Sequence, residues 1–412
     1  MKSQKGMATL LVTSMLLVVS LLFSLASYKN TFYQIKRTQN EVLARQAHWL
    51  AEGGLECGYS VVKKNNDKNA DLSSCLTISD YNLDSLSVVS SGTSSLMVAK
   101  AGFKSISKAI AGGGGGSHGV IKSSADLYFK GDHEYYSDSN IKLSDGTWAC
   151  LILRYKTKFY INDDSTSFFT NKGTKTTGSC NANYVTNTKD APIFKNDIQV
   201  ESNLDVFKET FQVSRNDWID VRDGGVFSQF DIIDPNNCAN EIATKIDNKH
   251  RYIWATGNCF LEHTGLAALS AKSQAVNGVF LLVENGVLSV NGTSSTYKGI
   301  IYHFSTNFNP IQGSVNVWSE STSGMNTYIQ NLTMYKPSGL TLTTIEKESM
   351  RDSLVFFMNG SFVPTGGYIL DTPNKLSYFN MASDLTYDGT LINDLLSPFS
   401  TPKWVEGSWN DF

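Results

Sequence analysis

The sequence predicts an α+β chain: one long N-terminal helix with a small sheet, then a mainly β C-terminal domain. Three observations predict it. Met7 to Tyr28 runs 22 residues without a charge, and Lys29 to Leu55 continues with no Pro and no Gly before Gly53. Five consecutive glycines interrupt the chain within AGGGGGSHG, Ala111 to Gly119. Beyond them the sequence turns to Thr, Ser, Asn, Tyr and Val in strand-like strings, with few helical patterns.

The uncharged run is long enough to span a bilayer as a helix, which needs roughly 20 residues. A cleaved secretory signal has a shorter apolar core followed by an A-x-A-like site. Here the small residue at the polar-to-apolar boundary is Gly6, ahead of the apolar run, and the basic residues Lys2 and Lys5 precede it. That charge bias keeps the N-terminus cytoplasmic and exports the rest. From Lys29 onward Phe32, Ile35, Val42, Leu43, Leu50 and Leu55 fall near multiples of 3.5, with Lys36, Arg37, Glu41 and Arg45 mostly elsewhere on the wheel. This predicts an amphipathic helix continuous with the membrane segment, weakened near its end by Gly53-Gly54.

SLSVVSS (Ser85 to Ser91) and SSLMVAKAGF (Ser94 to Phe103) read as strands, and a third strand or a short helix follows over Lys104 to Ile110. The glycine run reads as a hinge, because no G-K-[ST] follows and neither flank is a strand-then-helix unit. Helices are expected over Asn240 to Asn248 and Leu266 to Gln274. GVFLLV (Gly278 to Val283), GIIYHF (Gly299 to Phe304) and GSVNVW (Gly313 to Trp318) each open with Gly and turn apolar, at spacings of 21 and 14 residues. With GVLSVNG (Gly286 to Gly292) as a second face of the first, they suggest rungs of a parallel β-solenoid. An antiparallel sandwich with Gly-rich turns gives similar strings. The segments are 1–6, a short basic leader; 7–58, the membrane and amphipathic helix; 59–111, a small β head; 112–119, the glycine linker; and 120–412, a mainly β distal domain.

Six cysteines, Cys57, Cys75, Cys150, Cys180, Cys238 and Cys259, all lie beyond the membrane segment. An even count in an exported chain suggests disulfides, although six cysteines allow fifteen pairings. Sequential pairs are favoured, each closing a loop of about 20 to 30 residues within one region. Zinc is the rival, without a C-x-x-C pair and with six scattered histidines.

Net charge is −3 and pI about 6.1, so nothing global demands nucleic acid, and 41% apolar residues with 18% charged argue against disorder. No G-x-S-x-G, H-E-x-x-H or Walker-type loop occurs, so no enzyme activity and no cofactor is expected. Asp132, Glu134, Asp138 and Asp145 offer carboxylates for calcium but lack the ligand spacing of a known loop; a solvated loop explains them equally, and Asp163-Asp164 likewise. Asn291-Gly-Thr and Asn331-Leu-Thr match a glycosylation pattern. Trp148, Trp218, Trp254 and Trp318 lie in the distal region. Trp404 and Trp409 form an unusual terminal pair, WVEGSW, either stacked on a sugar or a partner or buried against the domain edge.

The leader, Gly6 and the apolar run together resemble a type IV prepilin. The resemblance implies cleavage after Gly6 by a prepilin peptidase and methylation of the new N-terminus, Met7; an ordinary signal anchor is the alternative. ARQAHWLAEGGLECG (Ala44 to Gly58) resembles the corresponding segment of PilX-like minor pilins and of the large K-type secretion pseudopilins. Most pilins carry Glu at the fifth mature position, where this chain has Leu11. The family Glu is thought to neutralise a neighbour's terminal amine, so its loss suits a subunit at the filament tip; simple drift is the other explanation. The implied role is a minor pilin that primes assembly of a type IV pilus with other minor pilins, the major pilin and the inner-membrane platform. It would be stored in the bacterial inner membrane and later exposed at an extracellular tip facing surfaces, glycans, DNA or cells. The alternatives are a dedicated tip adhesin and a membrane-anchored enzyme acting on polysaccharide. The β-rich distal part departs from the helical insert of K-type pseudopilins, which favours a pilus.

Overall fold

A computed structural model describes residues 5–65, 70–78, 81–91, 94–111, 119–137, 141–162, 168–174, 178–188, 194–322, 324–331, 343–380, 383–399, 402–405, 407–408 and 410–411. The glycine linker up to His118, Asp138, Asp163-Asp164 and Trp409 lie outside these residues. The chain has the expected α+β composition, a long N-terminal helix followed by a mostly β region of several sheets. It divides into two compact units. Unit 1 is 1–111 with 402–412, and unit 2 is 112–401. The C-terminal segment, expected to close the distal domain, belongs to unit 1 because its strands pair there.

Unit 1 is built on α1, Lys5–Asn65. The helix does not weaken at Gly53-Gly54 but continues through a further 10 or so residues. The reason is packing. A Cβ on Gly54 would collide with Leu83, and one on Gly58 would meet Met97 Sδ and Leu86 at 3.0 and 3.1 Å. The absent side chains let a sheet lie directly on the helix, and burial offsets the propensity cost. That sheet is antiparallel: β1 (Ser85–Ser91), β2 (Ser94–Ala101) and β3 (Lys104–Ala111). The ambiguous third element is therefore a strand. Lys403–Trp404 and Asn410–Asp411 both pair antiparallel with β3. Ala51, Leu55 and Val62 of α1 meet Met97, Ala99, Ile106 and Ile110 of the sheet in one apolar core. The Cys57–Cys75 disulfide closes the loop beyond the helix end.

Unit 2 is mostly parallel sheet. Its strands are β4 (Ile121–Ser123), β5 (Asp126–Lys130), β6 (Asp132–Ser137), β7 (Leu153–Tyr155), β8 (Phe159–Ile161), β9 (Phe168–Thr174) and β10 (Ile198–Val200). Then follow α2 (Val206–Phe211), α3 (Trp218–Asp223), β11 (Ser228–Asp231), α4 (Cys238–Lys245), β12 (Tyr252–Thr256), β13 (Cys259–Glu262) and α5 (His263–Ala275). Next come β14 (Val279–Glu284), β15 (Leu288–Tyr297), β16 (Gly299–Phe304), α6 (Met325–Gln330) and α7 (Thr344–Asp352). Last are β17 (Leu354–Pro364), β18 (Tyr368–Asp371), β19 (Leu376–Asn380), β20 (Ser383–Thr386) and α8 (Gly389–Leu396). One sheet runs β10-β7-β4-β18-β16-β14-β12-β11 and a second β8-β5-β19-β17-β15-β13. Every ladder in both is parallel. A third sheet joins β9, β6 and β20 in parallel, with Asn187–Thr188 antiparallel at its edge.

The order is not the chain order. The first strand, β4, sits inside the eight-stranded sheet, between β7 and β18. The chain builds outward from β4 to β10, crosses to the far edge as Glu201–Phe227, and returns strand by strand until β18 pairs with β4. Gly367 makes the closure feasible: its φ is +77°, and a Cβ there would strike the Val120 carbonyl. Tyr368 N then donates to Val120 O at 3.0 Å.

Inward rows fill the core. Ile198, Leu153, Ile121, Tyr368, Ile301, Leu281 and Ile253 stand in register across the eight-stranded sheet, all buried. Facing them is the row Ile161, Phe129, Phe379, Met358, Val290 and Leu261. Within it Phe129 and Phe379 stack at 4.5 Å with parallel planes. GVFLLV and GIIYHF form the paired strands β14 and β16, and GVLSVNG enters the second sheet as β15. GSVNVW joins neither of these sheets. Val315–Asn316 closes a small antiparallel hairpin, and Trp318 lies on the outer face of the second sheet against Phe260 and Phe357.

The two expected helices form as α4 and α5. Cys238 of α4 is bonded to Cys259 of β13, and Cys150 to Cys180, so all six cysteines are in sequential disulfides.

Because Ala111 and Lys403 are antiparallel partners, replacing Gly112–Pro402 with the two-residue turn Asn-Gly is expected to leave unit 1 folded. Far-UV circular dichroism and peptide mapping of the Cys57–Cys75 bond check this; loss of a cooperative melt would show that unit 1 depends on the insert.

Candidate functional sites

The first candidate site is α1 itself. Lys5 to Met7, with the Gly6–Met7 junction, are helical in backbone. Leu11 is 58% exposed, in a run of bare, mostly apolar side chains from Leu10 to Leu25 that carries no charge. The hydroxyls inside this run bond back along the helix: Thr13 to the Thr9 and Leu10 carbonyls, Ser14 to Leu11, and Ser20 to Leu17. These three hydroxyls are therefore satisfied within the helix, as an apolar medium requires. It is long and apolar enough to cross a membrane.

Further along, α1 carries two apolar stripes rather than the single expected face. One, Ala47, Leu50, Ala51, Gly54, Leu55, Gly58 and Val62, lies on the sheet. The other, Ile35, Val42 and Trp49, is bare. Phe32, also exposed, lies beside it with Lys36 Nζ 4.6 Å from its ring centre.

Trp404, a proposed ligand aromatic, is engaged within unit 1. Its ring stacks on Tyr59 at 4.3 Å, and Lys108 Nζ lies 4.4 Å above it. Its indole N–H is buried without a hydrogen bond. Tyr59 Oη donates to Pro402 O at 2.9 Å, so the terminal strand is fastened to α1 beside this stack.

The second candidate is the crossover of unit 2. Lys122 and Arg154 are neighbours in an outward row of the eight-stranded sheet. Arg154 binds Glu201 with Nε and Nη2, both 2.6 Å, and Glu209 with Nη1 and Nη2, both 2.8 Å. Both carboxylates belong to the crossover, so one guanidinium fork fixes its first half. Phe207 and Phe211 of α2 pack on Phe304, Tyr302 and Phe280 of the sheet. Arg215 fixes the second half: Nε donates to both oxygens of buried Asp371 at 3.2 and 3.1 Å, Nη2 donates to Ser305 O, and its guanidinium lies over the Phe304 ring.

Burial raises the Asp371 carboxyl, opposed by Arg215 and by hydrogen bonds from Ser124 and Tyr302. Burial pushes the Lys122 ammonium down to about 7; Glu209 opposes the shift and Arg154 adds to it. His133 and His303 are fully buried and pushed down to about 4 by desolvation, each retaining one backbone carbonyl partner.

Of the acidic positions, the described Glu134 and Asp145 have separate partners. Glu134 pairs with Lys172 at 2.7 Å, while Asp145 accepts from Thr147 and Asn181. Among the described residues no three His, Cys, Asp or Glu side chains are placed to hold a metal. Trp254 is buried and donates to Glu284 at 2.7 Å; Trp218 stacks over it. Asn291 is half-buried in a ladder of amides: Asn380 donates to Asn359, Asn359 to Asn291, and Asn291 to Glu262, at 2.9, 3.2 and 3.3 Å. The strap contacts were not readable from sequence, since Arg154 and Arg215 meet partners up to 156 residues away. Trp49 was readable: it continues the seven-residue spacing of Ile35 and Val42. No family model, no curated protein and no solved structure matches the chain.

Lys122→Met tests the buried charge. Between about pH 7 and pH 10.5 the unfolded chain holds a proton that folded Lys122 has shed, so Lys122 makes stability rise with pH across that window. Below about 7 the cost of burying the ammonium is fully present. The substitution is expected to stabilise the protein at pH 6, on the order of 2–4 kcal/mol, and to be close to neutral near pH 10.5. Denaturant midpoints at the two pH values check it. Arg154 continues to satisfy Glu209 in the variant.

Proposed function

We propose that this chain is a minor pilin of a type IV pilus, with unit 1 as the pilin proper and unit 2 as a bulky domain presented at the filament tip. The observation that carries the reading is α1: a single helix from Lys5 to Asn65, bare and apolar in its first half and packed against an antiparallel sheet in its second. An apolar helix rooted in such a head suits storage in the inner membrane followed by transfer into a helical filament core, where the same side chains stay out of water. The reading assigns Gly6–Met7 as the site cut and methylated by a prepilin peptidase. Leu11 in place of the family Glu is in keeping with a subunit that offers no carboxylate to one above it. The other partners under this reading are further minor pilins, the major pilin and the inner-membrane assembly platform.

For unit 2 we propose a β-solenoid rather than a sandwich. The parallel ladders support it, as do the stacks Phe129–Phe379 and Tyr128–Tyr378, the latter at 4.9 Å, and the amide ladder through Asn380, Asn359 and Asn291. Identical side chains above one another are what stacked turns produce. Because the solenoid is an insertion with its own core, a second reading is a tip adhesin not needed for assembly, contacting a surface, a glycan, DNA or another cell.

Mass spectrometry of the N-terminus, with and without the peptidase, tests the class. Methylated Met7 is expected, and Gly6→Val is expected to leave Met1 in place. An intact Met1 in both samples overturns the pilin reading. Exchanging Gly112–Pro402 for Asn-Gly in the host then separates the two roles: loss of pili favours priming, whereas normal pili with lost adhesion or DNA capture favours the adhesin.

A further inference from the structure

We infer that the terminal strand of unit 1, Lys403–Trp404 with Asn410–Asp411, is a releasable clasp. A pull on unit 2 loads it ahead of the glycine linker, and its release lengthens the chain in one step while both cores stay folded. The inference goes beyond the pilin reading and holds for any chain anchored by α1 and pulled through unit 2.

Two arms join the units, and their lengths differ. One runs from Ala111, paired at the end of β3, to Val120, whose carbonyl accepts from Tyr368 within unit 2. That is nine peptide steps, a reach of at most about 31 Å. The other runs from Phe399, packed on Phe211 and Phe280, to Pro402, whose carbonyl accepts from Tyr59. That is three steps, or about 10 Å. The arms start together in unit 1, because Ala111 and Lys403 are partners. They also leave unit 2 from one end of its eight-stranded sheet. Val120 precedes β4, and the ring of Phe399 lies 5.9 Å from that of Phe280 at the start of β14, three strands or roughly 14 Å along. A pull along the strands draws on both arms alike, so the three-step arm is taut first.

The taut arm pulls on Pro402, and the segment from there to Asp411 contains no cysteine to hold it covalently to its neighbours. β3 pairs with β2 without a break from Lys104 to Ile110. Among the described residues the terminal strand pairs with β3 in two short pieces, at Lys403–Trp404 and at Asn410–Asp411. Between them Val405 N donates to Ala109 O at 2.9 Å, and Ala109 N donates to Ser408 Oγ at 3.1 Å. The large side-chain fastener is Trp404 on Tyr59. Opening returns the buried, unpaired Trp404 indole N–H to water, where it regains a hydrogen bond. Ala51, Leu55, Met97 and Ile106 keep α1 on the sheet throughout. The load then passes to the glycine arm through β3, which is continuous in chain with α1.

Optical tweezers on the full chain in detergent micelles test this. Every described native cysteine is in a disulfide, so introduced thiols take the DNA handles. Arg37→Cys on α1 and Val200→Cys, at the far end of the strands of unit 2, are both exposed positions. A step of about 20 Å, the difference in reach between the arms, is expected below the force that unfolds unit 2. Inserting four glycines after Gly116 is expected to lengthen the step to about 34 Å at unchanged force. Trp404→Ala is expected to leave the length unchanged and to speed release at a fixed force about tenfold. A Trp404→Ala chain already about 20 Å longer at low force has its clasp open at rest and equally supports the inference. Absence of a step before unit 2 unfolds, a step whose length ignores the inserted glycines, or a release rate indifferent to Trp404→Ala overturns it. N-terminal processing at Met7 is read separately, so failure of the clasp and failure of the pilin reading are distinguishable.

Discussion

The ladder between β4 and β18 is the contact on which unit 2 depends. It joins the first strand of the unit to one of its last, setting Ile121 beside Tyr368 and Ser123 beside Leu370. Because β4 is internal, the two free edges of the sheet fall elsewhere, at β10 and β11. The chain must therefore travel from one edge to the other, across seven strand spacings, or roughly 34 Å. The crossover supplies that path, and Arg154 and Arg215 hold it to the sheet it spans. A pairing so distant in sequence carries a large closure entropy, which the stacked core repays only once both halves have formed. The same closure returns the chain to where unit 2 began, which is what an insertion between two partnered residues, Ala111 and Lys403, requires.

The ends of a parallel stack are its weakest places, since an end strand has one neighbour instead of two. Here both ends are short: β10 has three residues and β11 four. Disulfides lie at both. Cys238–Cys259 fastens α4 to β13, the edge strand of the second sheet, and Cys150–Cys180 ties the loop before β7 to the segment beyond β9 at the other end. Each contributes about 2–4 kcal/mol, where no further ladder is available to do so. The middle of the stack, which has no disulfide, relies on the amide ladder and on the paired rings of Phe129 and Phe379.

Local signals were legible and long-range ones were not. SLSVVSS and SSLMVAKA gave their strands directly, since apolar and small residues alternate between turn signals. GVFLLV and GIIYHF were readable because strands buried on both faces are continuously apolar, and their opening glycines sit where positive φ is needed. GSVNVW shares that string but not that role: Trp318 covers the gap over Ser289 between Phe260 and Phe357 in the outer row, a cover position that the string does not encode. The helix end was misjudged because propensity counts Gly53 and Gly54 as costs, while packing uses Gly54 and Gly58 to seat Leu83, Leu86 and Met97 against the helix. The terminal strand at Lys403–Trp404 was assigned to the wrong unit because pairing with β3 depends on where the chain returns. The charged strap left no local pattern at all.

The two stripes of α1 differ in side-chain size, and the difference separates their roles. The stripe against the head is made of Ala47, Ala51, Gly54 and Gly58 with Leu50 and Leu55 between them, and its glycines let the side chains of Leu83, Leu86 and Met97 reach the helix backbone. The bare stripe carries Ile35, Val42 and Trp49, larger side chains with about half of their area or more exposed. An intramolecular contact formed once during folding gains from closeness. A contact made later, with another chain, gains from large anchors that exclude water on arrival. Trp49 is the largest of these and lies within the stretch, from Ala47 onward, where the head covers the opposite face. Both the bare stripe and the 22 uncharged residues from Met7 to Tyr28 leave apolar area in water unless lipid or another chain covers it.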